Sequence, residues 1–555
     1  MRPLFSSIRL IRSLRVAAAT PSVIAILSPP MLSSPQPPDS GFVQTGGSFT
    51  SSVQRESLAL GLILLLWLFS TAWMRPLGMP DEGRYVGVAW EMVRSGDWLT
   101  PTLNGLPYFH KPPLFYWITA LSLWAFGNVE WAARLASLLG AMLCAGSVYL
   151  LLRRWMPERL ARWYLPVLAT TPIFYGGAQY ANHDMLVAGF ISAAIALVAD
   201  AALSMQAGRR WRWQLAGGWV AAALGLLSKG LIGIVLPGGV IFFWMLMSGR
   251  WRQIIRLFWW PGPLLFLLVG APWFLLMQRQ FPDFLHYFFV YQHFQRFSQG
   301  GFNNPQPLWF YPAVLCLTSL PWAPWLLARW RIDRSAAGAP PDDTAKAIRR
   351  LLWTWVVLIL VFFSIPSSKL VGYVLPVVPP LLALIAEAFV SAFSISARWR
   401  IALLLLAGGL CIVGTIAVTQ ADDISSEPLA TAYRQNAQDG EPLVFVRTYR
   451  FDVPFYATLR EPVTVVSDWT TPITKDSWPK ELADASRFRP ALGQHVLVDV
   501  TRMKAFLCSQ PVSWVIVPAD YAAGVDALKN IAPVARNRLY VLLRVDASGP
   551  DMHCR

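Results

Sequence analysis

The sequence predicts a polytopic α-helical membrane protein with a small α/β domain at its C-terminal end. Of the 555 residues, 55% are hydrophobic, and the chain contains 27 tryptophans. The apolar runs between residues 57 and 419 are repeatedly long enough to cross a bilayer, and polar sequence with short β-rich runs follows them. This composition excludes a single soluble core and favours many membrane spans.

Residues 1–56 precede the first strong apolar run. They carry arginines at positions 2, 9, 12 and 15, a weakly apolar patch broken by prolines, and a segment rich in proline, serine and glycine. A cleaved signal peptide is less favoured, because its apolar core is normally unbroken. We expect a disordered cytoplasmic N-terminal tail over residues 1–56.

The segment 57–419 is predicted to form the transmembrane domain. Several of its apolar runs are short or contain proline, and 114–126 is either a further span or an interfacial helix, so we expect 11–13 transmembrane helices. The eleven main runs lie at about 57–75, 131–152, 160–178, 184–204, 214–228, 231–248, 257–277, 309–328, 351–365, 371–390 and 401–419.

Basic residues predict the orientation of these spans. Eighteen lysines and arginines lie in alternate connections between Arg153 and Arg400, against nine in the longer opposite connections. Cytoplasmic loops carry such an excess, so the N-terminus is predicted inside and the loop 76–130 outside. The net charge of +16 therefore reflects topology and not nucleic-acid binding.

Residues 420–555 read as a soluble α/β domain, which an odd number of spans would place in the periplasm. Among the five cysteines, only Cys508 and Cys554 lie in this region, and they can pair if the compartment is oxidising. The predicted strands are PLVFVR, PVTVVS, HVLVDV, SWVIVP and YVLLRV, and the predicted helices are ATAYRQNA and ADYAAGVDALKNI.

The stretch DEGRYVGVAWEMVR begins with two adjacent acids, Asp81 and Glu82. Its apolar residues recur at helical spacing, which predicts a helix lying along the outer membrane surface. Charge is costly at a bilayer and usually has a function, so the pair is a candidate site. The structural alternative is that Asp81 caps this helix and Glu82 interacts with its N-terminal dipole.

Cations recur on the predicted outer side, which the topology rule depletes. Each of them alone is also explained as an anchor at the membrane interface. Together they predict a bound anion, and phosphate is the leading candidate because Arg and Lys bind it with charge-assisted contacts. These cations are Lys111 in FHKPP, Lys229 in SKG, Arg296 in YQHFQRF and Lys369 in PSSK.

Several motifs in order resemble those of bacterial polyprenyl-phosphate-sugar glycosyltransferases, the superfamily of the lipid A aminoarabinose transferases and the protein O-mannosyltransferases. They are PDEGRY, SGDWLTPTLNGLPYFHKPPLFYW, SKGLIGIVLPG, YFFVYQHFQRF and SIPSSKLVGYVLPVVPPL, within about residues 57–390. The resemblance implies the glycosyltransferase C fold. It also implies a sugar transfer from a polyprenyl phosphate to an envelope acceptor, either lipid A or another glycan, at the periplasmic face of a bacterial inner membrane.

The resemblance also implies roles for individual residues. Asp81 and Glu82 correspond to the catalytic acidic pair, and Lys111 to a lysine near the donor phosphate. The remaining residues implied to bind the donor phosphate or substrate are Arg84, Tyr108, Asp184, Lys229, His293, Arg296, Lys369 and Tyr373.

Two positions depart from the family pattern. His110 and Gln292 stand where relatives often have glutamate, so two carboxylates are missing from a region where family members can hold a divalent metal. No cofactor is therefore certain. The one candidate is a divalent metal held by His110 and His293, and two histidines without a third ligand are more often ordinary hydrogen-bonded residues.

The implied reaction is a single displacement at the anomeric carbon with inversion. Asp81 would act as general base for a hydroxyl acceptor, or would orient a phosphate acceptor. A protein O-glycosyltransferase of the same superfamily is one alternative. A transporter or flippase of lipid-linked anions is another, although the inverted repeats typical of that class are not evident in the sequence.

Overall fold

The computed structural model describes residues 51–295, 304–327, 343–391, 396–420, 425–473, 475, 477–522, 531–548 and 554. Residues 1–50 of the predicted tail lie outside the described residues, as does most of the predicted helix at 519–531. The first described helix includes residues from Ser51 onward, inside the segment predicted as tail. The mostly polar stretch SSVQRES thus belongs to the same helix as the apolar run that follows it. The prediction placed the start of the span at the apolar run and so missed this extension.

Helices predominate among the described residues before residue 420. In chain order they are α1 Ser51–Phe69, α2 Asp81–Ser95, α3 Leu114–Phe126, α4 Glu130–Ala133, α5 Leu135–Trp155, α6 Glu158–Ala169, α7 Pro172–Ala178, α8 His183–Gln206, α9 Arg212–Lys229, α10 Ile232–Met247, α11 Trp251–Leu257, α12 Pro261–Gln280, α13 Phe310–Thr318, α14 Asp343–Ser364, α15 Val378–Ser391 and α16 Ala397–Thr419. A π-helix spans His286–Gln295, and a 3₁₀-helix, Val371–Val377, leads into α15. The predicted run 160–178 divides into α6 and α7, because Pro172 begins the second helix and cannot continue the first.

Six helical segments of the described chain are long and apolar enough to cross a membrane, namely α5, α8, α12, α14, the unit Val371–Ser391 and α16. Helices α3 and α10 are apolar but shorter. The most hydrophobic stretch of α8 is 78% buried and that of α16 only 17%, so α8 is central and α16 peripheral. The polytopic membrane class is confirmed, and the number of spans stays a prediction.

Helices α5 and α8 approach each other closely at two glycines. A Cβ atom on Gly189 would lie 2.9 Å from the Cα of Gly140, and one on Gly140 would lie 2.6 Å from the Cα of Leu186. Such contacts exclude any side chain at these positions, as is common where membrane helices pack backbone to backbone. The crossing sets the spacing between the N-terminal ends of α5 and α8, where the candidate site lies.

The C-terminal region folds as a six-stranded sheet with the strand order β5-β4-β3-β6-β8-β7. Strands β3 to β6 pair in parallel, and β8 pairs antiparallel with both β6 and β7. All five predicted strands are present, but β7 was missed because IAPVAR contains a proline and is mostly exposed. The strands are β3 Leu443–Val446, β4 Thr464–Ser467, β5 Leu497–Asp499, β6 Val512–Pro518, β7 Ile531–Arg536 and β8 Tyr540–Asp546.

Short helices surround this sheet. They are α17 Glu427–Asn436, α18 Val453–Tyr456, α19 Trp478–Ser486, α20 Pro490–Val496, a 3₁₀-turn Val500–Arg502 and α21 Met503–Cys508. Only α17 was predicted. A disulfide joins Cys508 to Cys554, the two cysteines that the sequence singled out.

The sheet domain shares a hydrophobic core with the loop that follows α1. One buried cluster contains Val86 of α2 and Phe115 of α3 together with Phe445 of β3 and Leu542 of β8. The loop also forms a β-hairpin, β1 Thr102–Leu103 with β2 Leu106–Pro107, whose turn residue Asn104 exchanges hydrogen bonds of 2.9 and 2.8 Å with Val463. The loop and the domain therefore form one packed unit.

We expect Gly189→Ala to destabilise the protein, because its new methyl group would collide with the Gly140 backbone. Overpacking of this kind costs about 1–3 kcal/mol. Gly146→Ala in α5 is the matched control, since a Cβ there meets no atom within 4 Å. The melting temperature in detergent is the measurement, and equal melting of the two variants would contradict the tight crossing.

Candidate active site

Asp81 and Glu82 begin α2 but have different surroundings. The Asp81 side chain is 25% exposed and forms an ion pair with Arg84 one turn further along the helix. Pro80 is the N-cap residue, and no side chain caps this helix end. The capping alternative for Asp81 is therefore wrong, and its carboxylate is accessible.

The Glu82 side chain is completely buried. Its carboxylate forms ion pairs with Arg75 and Arg134 and accepts hydrogen bonds from the backbone N–H groups of Gly78, at 2.7 Å, and Ala181, at 2.8 Å. Burial alone raises the pKa of Glu82, but the charges and hydrogen bonds of Arg134 and Arg75 outweigh it and lower the pKa to about 2. So acidic a group is a poor proton acceptor near neutral pH.

Arg84 joins the loop to the C-terminal domain. Its guanidinium group binds Asp81 on one side and Glu481 of α19 on the other. Glu481 also accepts a hydrogen bond of 3.2 Å from the Tyr108 hydroxyl, and it raises the pKa of Tyr108, which burial already raises. Sequence reasoning missed Glu481, because KELADAS carries no motif and looks like an exposed helix.

A second ion pair joins the ends of two membrane helices. Asp184 in the first turn of α8 pairs with Lys229, the last residue of α9. The Lys229 ammonium lies 4.3 Å from the centre of the Tyr373 ring, in the 3₁₀-helix. A Cβ on the neighbouring Gly372 would collide with the Asp184 carboxylate, so only glycine fits there. Three predicted residues are thus brought together.

His183 and Tyr85 connect these two groups of charges. Their rings lie 4.6 Å apart, and Phe115 lies 4.6 Å from His183. The charges of Lys111, Lys229 and Arg84 all act on His183, and those of Asp81 and Glu481 act on Tyr85. The rings of Tyr85, Phe115 and His183 therefore form one aromatic centre, which lies within electrostatic reach of charged residues predicted from separate motifs.

Lys369 occupies a different environment from the one predicted. Its ammonium group donates hydrogen bonds to the backbone carbonyls of Gln306, at 2.8 Å, and Pro366, at 2.6 Å, and the side chain is buried. These contacts fasten the segment before α13 to the segment before the 3₁₀-helix. These contacts give Lys369 a role in holding the backbone, and its predicted binding of phosphate stays a prediction.

The predicted metal pair is only partly described. His110 lies against Tyr108, with ring centres 4.4 Å apart, and 6.2 Å from Tyr287. The His293 side chain and the whole of Arg296 lie outside the described residues. Within the described ranges, no group of three or more His, Cys, Asp or Glu residues has the arrangement to hold a metal ion. A metal at His110 and His293 stays a prediction.

Comparison with known proteins identifies the family. Residues 110–275 match the family model described as dolichyl-phosphate-mannose-protein mannosyltransferase. An undecaprenyl phosphate-alpha-4-amino-4-deoxy-L-arabinose arabinosyl transferase of Sodalis glossinidius is 33% identical over 386 residues, which are 68% of this chain and 67% of that protein. The chain belongs to this arabinosyl transferase family.

Further relatives support the assignment. The arabinosyl transferase of Erwinia tasmaniensis is 34% identical over 60% of this chain, and the match spans 59% of the relative's length. The crystal structure of ArnT from Cupriavidus metallidurans bound to undecaprenyl phosphate superimposes with a TM-score of 0.73 at 25% identity, covering 90% of this chain and 99% of that one. The glycosyltransferase C fold predicted for the arabinosyl transferase chain is confirmed.

We expect Glu481→Gln to lower the activity of this arabinosyl transferase family member about 10-fold or more, because Arg84 would lose one of the two carboxylates that fix its position beside Asp81. Glu461→Gln is the control, since Glu461 is exposed in the same domain. Steady-state rates of both variants, each with its melting temperature, make the comparison. Full activity in Glu481→Gln would show that the domain does not orient Arg84.

Proposed function

We propose that the chain is an integral-membrane glycosyltransferase that moves 4-amino-4-deoxy-L-arabinose from undecaprenyl phosphate to lipid A at the periplasmic face. The observation that carries the proposal is the accessible Asp81 carboxylate beside the aromatic centre on which Arg84, Lys111 and Lys229 act. The names of the matched relatives supply the sugar and the lipid carrier. The acceptor follows from the resemblance of the motifs to lipid A aminoarabinose transferases.

The proposed reaction is a displacement at the anomeric carbon of the sugar. The bond from this carbon to the phosphate oxygen breaks, the lipid phosphate leaves with the electron pair, and an acceptor oxygen forms the new bond from the opposite face. Lys111, together with Arg296, would stabilise the charge that grows on the phosphate, which accelerates transfer if they bind the transition state more tightly than the substrate.

The two acids have different roles in this proposal. Asp81 reaches the site and would accept a proton from a hydroxyl acceptor or orient a phosphate acceptor. Glu82 was predicted to be catalytic with it, but its burial and its arginine partners favour a positioning role instead. Tyr108, Asp184, Lys229 and Tyr373 would shape the donor site, and Lys369 would fix the backbone beside it.

The proposed orientation places the site and the sheet domain in the periplasm, with the N-terminus in the cytoplasm. Helix α5 has Arg153 and Arg154 at the end opposite the site, as expected for a cytoplasmic end. The disulfide between Cys508 and Cys554 fits an oxidising compartment. We propose that 57–419 is the transmembrane domain and 420–555 the periplasmic domain.

A protein O-glycosyltransferase is the second candidate, because the matched family model is that of protein mannosyltransferases. A transporter of lipid-linked anions is less favoured, since the charged groups gather at the ends of α8 and α9 and not in mid-membrane. Incubation of the purified protein with undecaprenyl-phosphate aminoarabinose and either lipid A or a peptide acceptor separates all three. Mass spectrometry of each acceptor is the readout, and transfer to neither would contradict the proposal.

Asp81→Asn should abolish transfer without unfolding the protein, because the amide keeps the size of the side chain but accepts no proton and carries no charge. The product is measured by mass spectrometry of lipid A, and folding by gel filtration in detergent. Asp439→Asn, at an exposed residue of the sheet domain, is the control and should keep its activity. Near-normal turnover of the Asp81 variant would remove this residue from the reaction.

Lys111→Ala should raise the KM for the lipid-linked donor more than the KM for lipid A, because the lysine is proposed to bind the donor phosphate. Both KM values are measured in one assay with purified protein. Arg279→Ala, in the last turn of α12, is the control: it removes another outward cation and should leave both KM values unchanged. An equal rise in both KM values of the Lys111 variant would indicate an anchor and not a phosphate ligand.

A further inference from the structure

The buried Glu82 carboxylate is the centre of a charge cluster whose two arginines, Arg75 and Arg134, belong to no motif of the proposed reaction. Arg134 donates to Glu82 at 3.0 Å and also to the backbone carbonyls of Ala72, Arg75 and Pro76, at 2.6, 2.9 and 2.9 Å. The Arg134 side chain is 1% exposed. The nitrogen atoms of this one guanidinium group therefore bind both the start of α2 and the backbone of the segment between α1 and α2.

The same cluster reaches the segment that leads into α8. Glu82 accepts from the backbone N–H of Ala181 at 2.8 Å, and Arg75 donates to the carbonyl of Gln179 at 2.8 Å. Ser137 lies one turn after Arg134 and donates to the carbonyl of Tyr180 at 2.6 Å. The N-terminal end of α5 thus holds both the start of α2 and the segment 179–182.

These two segments carry two carboxylates of the candidate site. Asp81 directly precedes Glu82, and Asp184 follows the Asn182 cap in the first turn of α8. A shift of either segment would change the spacing of Asp81 from the Asp184–Lys229 pair. A buried ion pair adds little to stability on balance, since desolvation offsets the attraction, but its directed hydrogen bonds fix geometry.

We propose that Arg134 is a positioning residue: through Glu82 it sets the spacing between Asp81 and the Asp184–Lys229 pair. The inference rests on the proposed function only for its kinetic test. A displacement of about 1 Å at a reacting group can lower a rate about 100-fold. Because the cluster holds the residue next to Asp81, while the Asp184–Lys229 pair keeps its own contact, we expect a larger effect on kcat than on donor binding.

The test is Arg134→Lys, which keeps the charge but cannot bind Glu82 and the three carbonyls at once. We expect kcat to fall about 10- to 100-fold while the donor KM changes less than about 3-fold. Hydrogen–deuterium exchange should rise together in residues 78–86 and 179–184. Should Arg134→Lys not fold, Ser137→Ala removes only the hydroxyl contacts and should raise exchange in 179–184 with a smaller loss of kcat.

Glu91→Gln is the matched control, because Glu91 is also buried in α2 but binds the hairpin, with the backbone N–H of Asn104 at 2.6 Å. It should loosen 102–105 and leave kcat within about 3-fold, as expected for a group remote from the reacting atoms. Normal kcat in folded Arg134→Lys, or reduced kcat with unchanged exchange in both segments, would overturn the proposal. So would an equal loss in Glu91→Gln. If the wild-type protein transfers no sugar, the proposed function fails, while the exchange data still decide whether Arg134 couples the two segments.

Discussion

The burial of one carboxylate among two guanidinium groups is the constraint on which the site depends. Glu82, Arg75 and Arg134 are removed from solvent at the end of the helix bundle, where an unpaired charge would be very costly. Each charge is therefore satisfied by directed contacts, and these contacts come from α2, from α5 and from the segments before α2 and α8. The chain can bury all three charges only when these elements take one arrangement, and that arrangement brings Asp81 to the aromatic centre.

Adjacent acids in one motif thus have different chemical properties because their surroundings differ. In Glu82 the arginine charges lower the pKa to about 2, so the group stays ionised near neutral pH and is a poor proton acceptor there. A carboxylate whose pKa is lower in the folded than in the unfolded protein stabilises the fold at any pH above its unfolded pKa. This stabilisation is lost as the pH falls toward the folded pKa, which for Glu82 means only in strong acid. Asp81 is the adjacent residue of the same motif, but its side chain stays accessible.

Sequence patterns predicted the helices and strands, because these depend on local sequence. They did not predict ion pairs between residues that are distant along the chain. The apolar face of DEGRYVGVAWEMVR predicted α2, and the alternation of β-rich runs predicted five strands of the sheet. The motif order predicted that Asp184, Lys229 and Tyr373 would meet. Arg134 looked like an ordinary loop cation and Glu481 like a surface residue, because their partners are distant in sequence and only the packed fold brings them together.

The C-terminal domain contributes Glu481 to the candidate site. The core that it shares with the outer loop holds this residue beside the loop. Helix α19 directs Glu481 to Arg84 and Tyr108, and the neighbouring Lys480 lies 5.5 Å from the ring of Tyr291 in the π-helix that leads to Arg296. Burial lowers the pKa of Lys480, but its contacts with Tyr291 and Asp484 outweigh this effect and raise it, so the group is a stable cation. One short helix therefore contacts two of the segments that carry predicted phosphate ligands. Through Lys480 and Glu481, adjacent residues of α19, the sheet domain links the π-helix to Arg84.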